Sequence, residues 1–203
     1  SLSSVDEALC TVSFSETREF TCDAGEFSLL RTLFDKDISV SAIKDKKKAS
    51  VAQNDLSDEG IKTLANNLMQ SLESSEVDDA WEFSKEKKEL SVSGGDYEPD
   101  LEKLFSRAKE LLDTIHDKYK KIIVEQLIVK HKKADTVTLS SEGLEFNSKH
   151  GYYMVSLMFS GHEGDKSSSF NGAGVLTQSL DKPFIELGSI RENIESAERQ
   201  IDT

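Results

Sequence analysis

The strongest constraint on the fold of this chain is a series of short polar turns. They separate runs in which apolar and polar residues alternate. In "ALCTVSF", Cys10, Val12 and Phe14 fall on one side of an extended chain with Ala8, and the residues between them fall on the other. The runs "REFTC", "FSLLRTLF", "ISVSAI" and "ASVAQ" follow, separated by "DAGE", "DKD" and "KDKKK". Connections of two to five residues join only neighbouring antiparallel strands, so the sequence predicts an antiparallel meander.

The period of the apolar residues then changes from that of a strand to that of a helix. A helix is predicted from Ser57, which is placed to cap it, with an apolar stripe at Ile61, Leu64, Ala65, Leu68 and Leu72. A second helix is predicted after Pro99, and a third after Pro183. These elements predict an α+β fold in which antiparallel strand meanders are covered by amphipathic helices.

The second half of the chain resembles the first in its order of elements. The strand-like runs "KIIVEQLIVK", "DTVTLSS", "LEFNS", "GYYMVSLMFS" and "SFNGAGVLTQ" are divided by "KHKK", "SSEG", "SKHG" and "GHEGDK". Two similar strand-rich units and one larger sheet both satisfy this pattern. We divide the chain into a meander plus helix at 1–75, a surface connection at 76–100 held by Trp81 and Phe83, and a helix, second meander and terminal helix at 101–203.

Charge and composition exclude several classes of partner. The 203 residues carry a net charge of −13, which disfavours binding to the phosphates of a nucleic acid. The lysines of "KDKKK" at Lys44–Lys48 and "KHKK" at Lys130–Lys133 are interpreted as solvated hairpin tips. No apolar run approaches the length of about 18 residues that a membrane span needs, and the N-terminal residues do not resemble a secretory signal. With only two cysteines, Cys10 and Cys22, we expect a reduced, cytoplasmic protein.

The stretch "GHEGDK" contains a His-Glu pair like the one that opens the zinc-peptidase signature H-E-x-x-H. That signature places two histidines four residues apart on one helix face. Here the residue four positions after His162 is Lys166, a cation. Gly161 and Gly164 flank the pair, and an alternating run precedes it, so a turn between strands is predicted instead of a metal site.

The remaining candidates for chemistry are weaker. His116, His131 and His150 have no partner at metal-ligand spacing, and His116 is expected at the surface. The segment "NGAG" at Asn171–Gly174 lacks the G-x-G-x-x-G spacing of a phosphate-binding loop and is interpreted as a small-residue strand. The acidic "SSEVDD" at Ser74–Asp79 lacks the pattern of a calcium loop. No catalytic, cofactor-binding or metal-binding residue is therefore assigned.

Several turn and helix-start residues resemble the N-terminal region of the TldD/PmbA family, peptidases also described as modulators of DNA gyrase. The family has a Gly-Glu turn, an Asp-led strand, an Asp-Gly-Lys type hairpin, an Asp-Leu-Ser helix start and a later Ser-x-Gly turn. The matching residues are Gly25, Glu26, Asp35, Asp45, Asp55, Leu56, Ser57, Ser141 and Gly143. The chain departs from the family pattern at Lys46 and Ala49, where the hairpin usually has glycines.

The resemblance implies a non-catalytic N-terminal domain of a cytoplasmic zinc peptidase that acts on unfolded peptides. The family's zinc motif, H-E-x-x-x-H, lies C-terminal to the region that this chain resembles, so zinc is expected only in a C-terminal domain. The final "ESAERQIDT" has no helix stop signal, from which we also expect a longer protein. The resemblance implies three partners: that C-terminal domain, a homodimer or heterodimer partner, and a peptide substrate. The peptide would enter a chamber that the domains enclose. The alternative is a stand-alone acidic protein–protein interaction module, and a small-molecule-binding domain suggested by "FNGAGVL" ranks last.

Overall fold

A computed structural model describes residues 4–201 and confirms the α+β class. The strands are β1 (Glu7–Asp23), β2 (Glu26–Lys44), β3 (Lys47–Gln53), β4 (Glu89–Gly94), β5 (Ile122–Ser140), β6 (Glu145–Glu163), β7 (Lys166–Ser167) and β8 (Asn171–Thr177). The helices are α1 (Asp58–Ser74), α2 (Leu101–Lys118) and α3 (Ile190–Ile201), with a short 3-10 helix, Phe184–Glu186, before α3. None of the described helices is long and apolar enough to cross a membrane.

The sheet has the strand order β3-β2-β1-β5-β6-β4, and β7 and β8 also pair with β6. Strands β2 and β3 pair antiparallel from Ile38 opposite Gln53 to Lys44 opposite Lys47. Strand β8 pairs antiparallel with the middle of β6. The predicted meander is thus present, with β1, β2 and β3 adjacent in chain order.

Three of the predicted turns are wrong, because "DKD", "KHKK" and "SKHG" lie inside the long strands β2, β5 and β6. The other turns, "DAGE", "KDKKK", "SSEG" and "GHEGDK", are confirmed. Each confirmed turn has backbone in the left-handed region, at Ala24 and Gly25, Asp45 and Lys46, Gly143, and Gly164 respectively. No residue of the three wrong turns has a positive φ. The backbone conformation, and not polarity, therefore separates true turns from polar stretches of strand.

The chain folds into two compact units that do not follow sequence order. Unit 1 contains residues up to Ser15, Phe34–Ser93 and Ala134–Lys149; unit 2 contains Glu16–Leu33, Gly94–Lys133 and residues from His150 onward. Four long strands, β1, β2, β5 and β6, contribute residues to both units. The linear division at 1–75, 76–100 and 101–203 stays a prediction.

The core of unit 1 forms where α1 packs against the β2–β3 hairpin. Helix α1 begins as predicted, because the Ser57 hydroxyl accepts a hydrogen bond from the Gly60 backbone N–H at 3.1 Å. Its buried leucines lie against apolar residues of the two strands, and the buried cluster contains Ile38, Val40, Ala42, Ala49, Leu64, Leu68 and Leu72. Cys10, predicted as a small apolar strand residue, packs partly buried against this cluster.

The core of unit 2 is larger and brings α2 and α3 onto apolar strand residues. Helix α2 begins at the Asp100 cap, whose carboxylate accepts a hydrogen bond from the Lys103 N–H at 2.9 Å. The largest fully buried side chains of this cluster include Tyr153, Phe159, Phe184, Leu104, Leu111, Ile115, Leu127, Leu157, Leu180, Ile190 and Ile194. Helix α3 packs against β8, so the predicted terminal helix covers part of the second meander.

The segment predicted as a surface connection contains a strand that was not predicted, β4. The segment is also tied down by Lys48, whose Nζ lies 4.5 Å from the ring centroid of Trp81 and 5.4 Å from that of Phe83. Asp79, in the acidic stretch considered for calcium, instead forms an ion pair with Lys46 at 2.6 Å.

Candidate functional site

The "GHEGDK" stretch forms a β-hairpin, as predicted. His162 pairs with Ser167 and Glu163 with Lys166 across the antiparallel β6–β7 ladder, and Gly164 has a φ of +61°. Adjacent strand residues point to opposite sides, so His162 and Glu163 do not converge on one point. The Glu163 carboxylate binds Lys121 at 2.9 Å.

His162 has a partner that the sequence did not reveal, the Ser160 hydroxyl. The Ser160 Oγ donates to the Glu125 carboxylate at 2.7 Å and lies 3.0 Å from His162 Nε2. Serine, histidine and glutamate also build nucleophilic sites, but such sites need free N–H donors for a developing oxyanion. The adjacent N–H groups are occupied here, since Gly161 donates to Ser168 Oγ and His162 to the Lys121 carbonyl. The group therefore resembles a structural polar cluster at the β6–β7 hairpin.

His131 lies in β5 and is 1% exposed, in contrast to the predicted lysine-rich hairpin tip. Its Nε2 lies 2.7 Å from the Asp96 carbonyl oxygen, which can only accept, so this nitrogen carries the proton. Burial lowers the pKa of His131, although the Asp96 hydrogen bond acts in the opposite direction. The ring also packs on Tyr153 at a centroid distance of 4.9 Å, so the histidine holds the Asp96 segment against the sheet.

A buried carboxylate in unit 2 explains why Lys130 can lie within strand β5. Glu19 of β1 is 1% exposed and binds Arg31 of β2 and Lys130 of β5, each at 2.8 Å. Burial raises the pKa of Glu19, but the hydrogen bonds and charges of Lys130 and Arg31 together outweigh burial and hold it below its ordinary value. Lys133 pairs with the partly buried Glu16 at 3.4 Å and with the exposed Glu98 at 3.0 Å.

The other histidines do not join these groups. His116 is exposed beside Asp117, as predicted, and His150 is exposed in β6 near Gly94. Within residues 4–201, no group of three or more histidine, cysteine, aspartate or glutamate side chains is arranged to hold a metal ion. The "NGAG" segment is strand β8, as predicted, and its Gly172 carbonyl accepts a hydrogen bond from Asn193 of α3 at 3.0 Å.

An open feature of unit 2 is the first part of β2. Strand β3 pairs with β2 only from Ile38 onward, so Glu26–Leu33 has no strand partner on that side among the described residues. All eight residues of this segment, which we call the open edge, are exposed. Its large apolar residues are exposed by 37% to 63%: Phe27, Leu29, Leu30 and Leu33. An unpaired strand with free backbone donors and acceptors can add a further extended strand.

The architecture defines the class of the chain: an α+β domain built on long antiparallel strands. No protein-family model matches the chain, and no curated protein matches it. Solved structures do match. TldE from Thermococcus kodakarensis is 17% identical, with a TM-score of 0.72 over 98% of this chain and 44% of TldE.

Two proposed modulators of DNA gyrase have the same fold. The protein from Thermotoga maritima is 16% identical, with a TM-score of 0.59, and the match covers 96% of this chain and 44% of that one. The protein from Bacteroides thetaiotaomicron is 16% identical, with a TM-score of 0.72, and the match covers 98% of this chain and 46% of that one. This chain therefore spans less than half the length of the structures it matches. The resemblance predicted from the sequence is confirmed at the level of the fold.

Proposed function

We propose that this chain is the non-catalytic N-terminal α+β domain of a TldD/PmbA-type peptidase subunit. One observation carries the proposal: 98% of the chain superimposes on TldE at a TM-score of 0.72, yet it accounts for only 44% of that protein. Zinc and the groups that activate water belong, in this proposal, to a C-terminal domain. The setting is cytoplasmic.

In the proposed protein, this domain helps to enclose a chamber and to form a dimer. An enclosed chamber selects unfolded peptides, because a folded protein is too large to enter it. The open edge supports a role in handling such peptides, since an extended backbone can form ladder hydrogen bonds with it. Sequence selectivity would be low, because ladder hydrogen bonds use the main chain of the peptide.

Metal analysis and a peptidase assay on the purified chain test the non-catalytic role. We expect less than stoichiometric zinc after dialysis, and no cleavage of a fluorogenic unfolded substrate with or without added zinc. A tight site with one zinc per chain, or zinc-dependent cleavage, would refute the proposal.

The gene downstream of the Thr203 codon tests membership of a longer protein. A continuation encoding an H-E-x-x-x-H motif supports a shell domain of an active metallopeptidase, and a continuation without the motif supports a metal-free partner subunit. An immediate stop codon contradicts both and favours the stand-alone interaction module.

The open edge also bears on that alternative. An acidic module that functions alone would be expected to lack large exposed apolar patches, whereas a domain that packs against a neighbour needs them. Leu30 is 63% exposed within a run of exposed residues, which favours the domain.

A further inference from the structure

Unit 1 contains an apolar cavity that none of the proposed roles uses. Its volume is about 320 Å³, and it opens between α1 and the sheet. Its walls include Cys10 from β1, Ile38 and Val40 from β2, and Ile61, Ala65 and Lys62 from α1. A cavity of this size lies in the range of small-ligand sites, about 300 to 1,000 Å³.

The cavity exists because the apolar stripe of α1 is wider than the surface that the helix buries. Leu64 and Leu68 are buried against the sheet, at 3% and 0% exposure. Ile61 lies on the same stripe but is 39% exposed at the cavity wall. Helix α1 packs on β3, so none of residues 4–201 covers the apolar surface near Cys10. A cavity with such walls holds water poorly and favours an apolar guest.

One charged residue, Lys62, lies among the apolar residues that line the cavity. The Lys62 side chain is 73% exposed, and its nearest carboxylate, that of Glu59, lies 3.9 Å away and is itself 85% exposed. This ion pair is long and solvated, so it contributes little and exchanges readily for another anion. The methylene stem of Lys62 can lie along the apolar wall while its ammonium stays in water.

We propose that the cavity binds an aliphatic carboxylate of medium chain length, with the alkyl chain between α1 and the sheet and the carboxylate on Lys62. The size of the cavity favours a small molecule over a protein segment. The one charged residue among those that line the cavity is Lys62, and its positive charge favours an anionic head group. The binding is non-covalent and does not depend on the proposed peptidase role.

Calorimetric titration of the full chain with decanoate tests this proposal directly. We expect one molecule bound per chain, with affinity rising about fourfold for each methylene added between octanoate and decanoate. Binding should also slow the modification of Cys10 by N-ethylmaleimide. Cys22 is an internal control, because it is fully buried and outside the cavity.

Two substitutions separate the alkyl site from the head-group site. Ala65→Phe fills the cavity and should weaken decanoate binding at least tenfold, and Ala65→Leu is the milder version if the larger side chain prevents folding. Lys62→Gln should weaken decanoate binding about threefold while leaving decanol binding unchanged. Lys109→Gln is the matched control, since Lys109 is a helix lysine, 61% exposed, that also pairs with a carboxylate of its own helix.

The proposal is overturned if decanoate does not bind, if chain length has no effect on affinity, or if both Ala65 variants bind as tightly as the wild type. An equal effect of Lys62→Gln on decanoate and decanol would overturn the assignment of the carboxylate to Lys62.

Discussion

At the scale of single residues, Glu19 is the most consequential side chain of unit 2. It is nearly fully buried, and its charge is balanced by Arg31 and Lys130, which remain 47% and 30% exposed. A buried carboxylate without such partners would take up a proton or destabilise the fold. The triad allows three charged residues to lie side by side on the neighbouring strands β2, β1 and β5.

We expect Glu19→Gln to lower the free energy of unfolding at pH 7 by about 2 kcal/mol, because both cations lose their anionic partner but remain accessible to water. The depressed pKa of Glu19 means that the unfolded chain binds the proton at higher pH than the folded chain. The stabilisation by the ionised Glu19 carboxylate is therefore fully present above pH 4.5, the ordinary pKa of a glutamate. It is lost as the pH falls through the lower pKa of Glu19 in the folded chain.

Urea denaturation between pH 7 and pH 3 measures this effect, and the wild type and Glu19→Gln should converge in acid. Glu26→Gln, at an exposed position of the same unit, is the control and should change little. A constant difference between wild type and Glu19→Gln across the pH range would contradict the assignment to ionisation.

At the scale of elements, the close crossing of Gly151 and the segment before α2 stands out. A Cβ on Gly151 of β6 would collide with the Asp96 carbonyl oxygen and would lie 2.6 Å from the Tyr97 Cα. The same carbonyl accepts the hydrogen bond from His131 at 2.7 Å. This close backbone contact and the buried imidazole thus both help to hold the segment between β4 and α2 on the sheet.

We expect Gly151→Ala to destabilise the protein by about 3 kcal/mol, because the atoms that it meets are backbone and cannot move aside cheaply. Gly172→Ala, in strand β8, is the matched control, since the nearest atom to its Cβ, the Leu157 carbonyl oxygen, is 3.7 Å away. Thermal and chemical denaturation of the two variants make the comparison. Equal stability of both variants would show that the crossing has room for a Cβ at residue 151.

The open edge gives a second prediction at this scale. Leu30→Lys should weaken binding of a fluorescent, unfolded peptide about fivefold or more, because the charge disrupts apolar contacts beside the added strand. Leu176→Lys in β8 is the control, since Leu176 is 62% exposed and Leu30 is 63% exposed. Fluorescence anisotropy gives both affinities. A similar loss in both variants would place peptide binding elsewhere.

At the scale of the whole molecule, the net charge of −13 bears on what the chain can bind. Some proteins with this fold are described as modulators of DNA gyrase, which raises the question of DNA binding. Two of the three lysines of β5, Lys130 and Lys133, bind glutamates and so are not available as a free basic patch. A phosphate backbone would meet a surface in which acidic groups are in excess.

We therefore expect the chain to show no DNA affinity at physiological ionic strength, because few phosphate contacts are available to release counterions. Electrophoretic mobility shift with duplex DNA and elution from a heparin column are the measurements. Retention on heparin that falls steeply with salt would contradict the expectation and would point to a locally basic face.

The sequence by itself determined the elements whose causes are local. The Ser57 cap and the leucine stripe specify α1. The turns at Gly25, Gly143 and Gly164 are also local, because each needs a residue with a positive φ, which glycine adopts without strain. It also determined that "GHEGDK" is a hairpin, because Gly164 and Lys166 are local departures from a zinc-peptidase helix.

Only the tertiary structure decided the length of the strands and the position of the polar side chains within them. The polar stretch "KHKK" resembles a turn in sequence, but its partners lie elsewhere in the fold. Lys130 pairs with Glu19, His131 donates to the Asp96 carbonyl, and Lys133 pairs with Glu16. His131 and Asp96 are 35 residues apart in the sequence. No local sequence pattern therefore predicts the hydrogen bond between them, which allows His131 to be buried. Some polar residues inside a strand are supported by partners on another strand, as Lys130 is by Glu19, and such partners are brought together only when the sheet assembles.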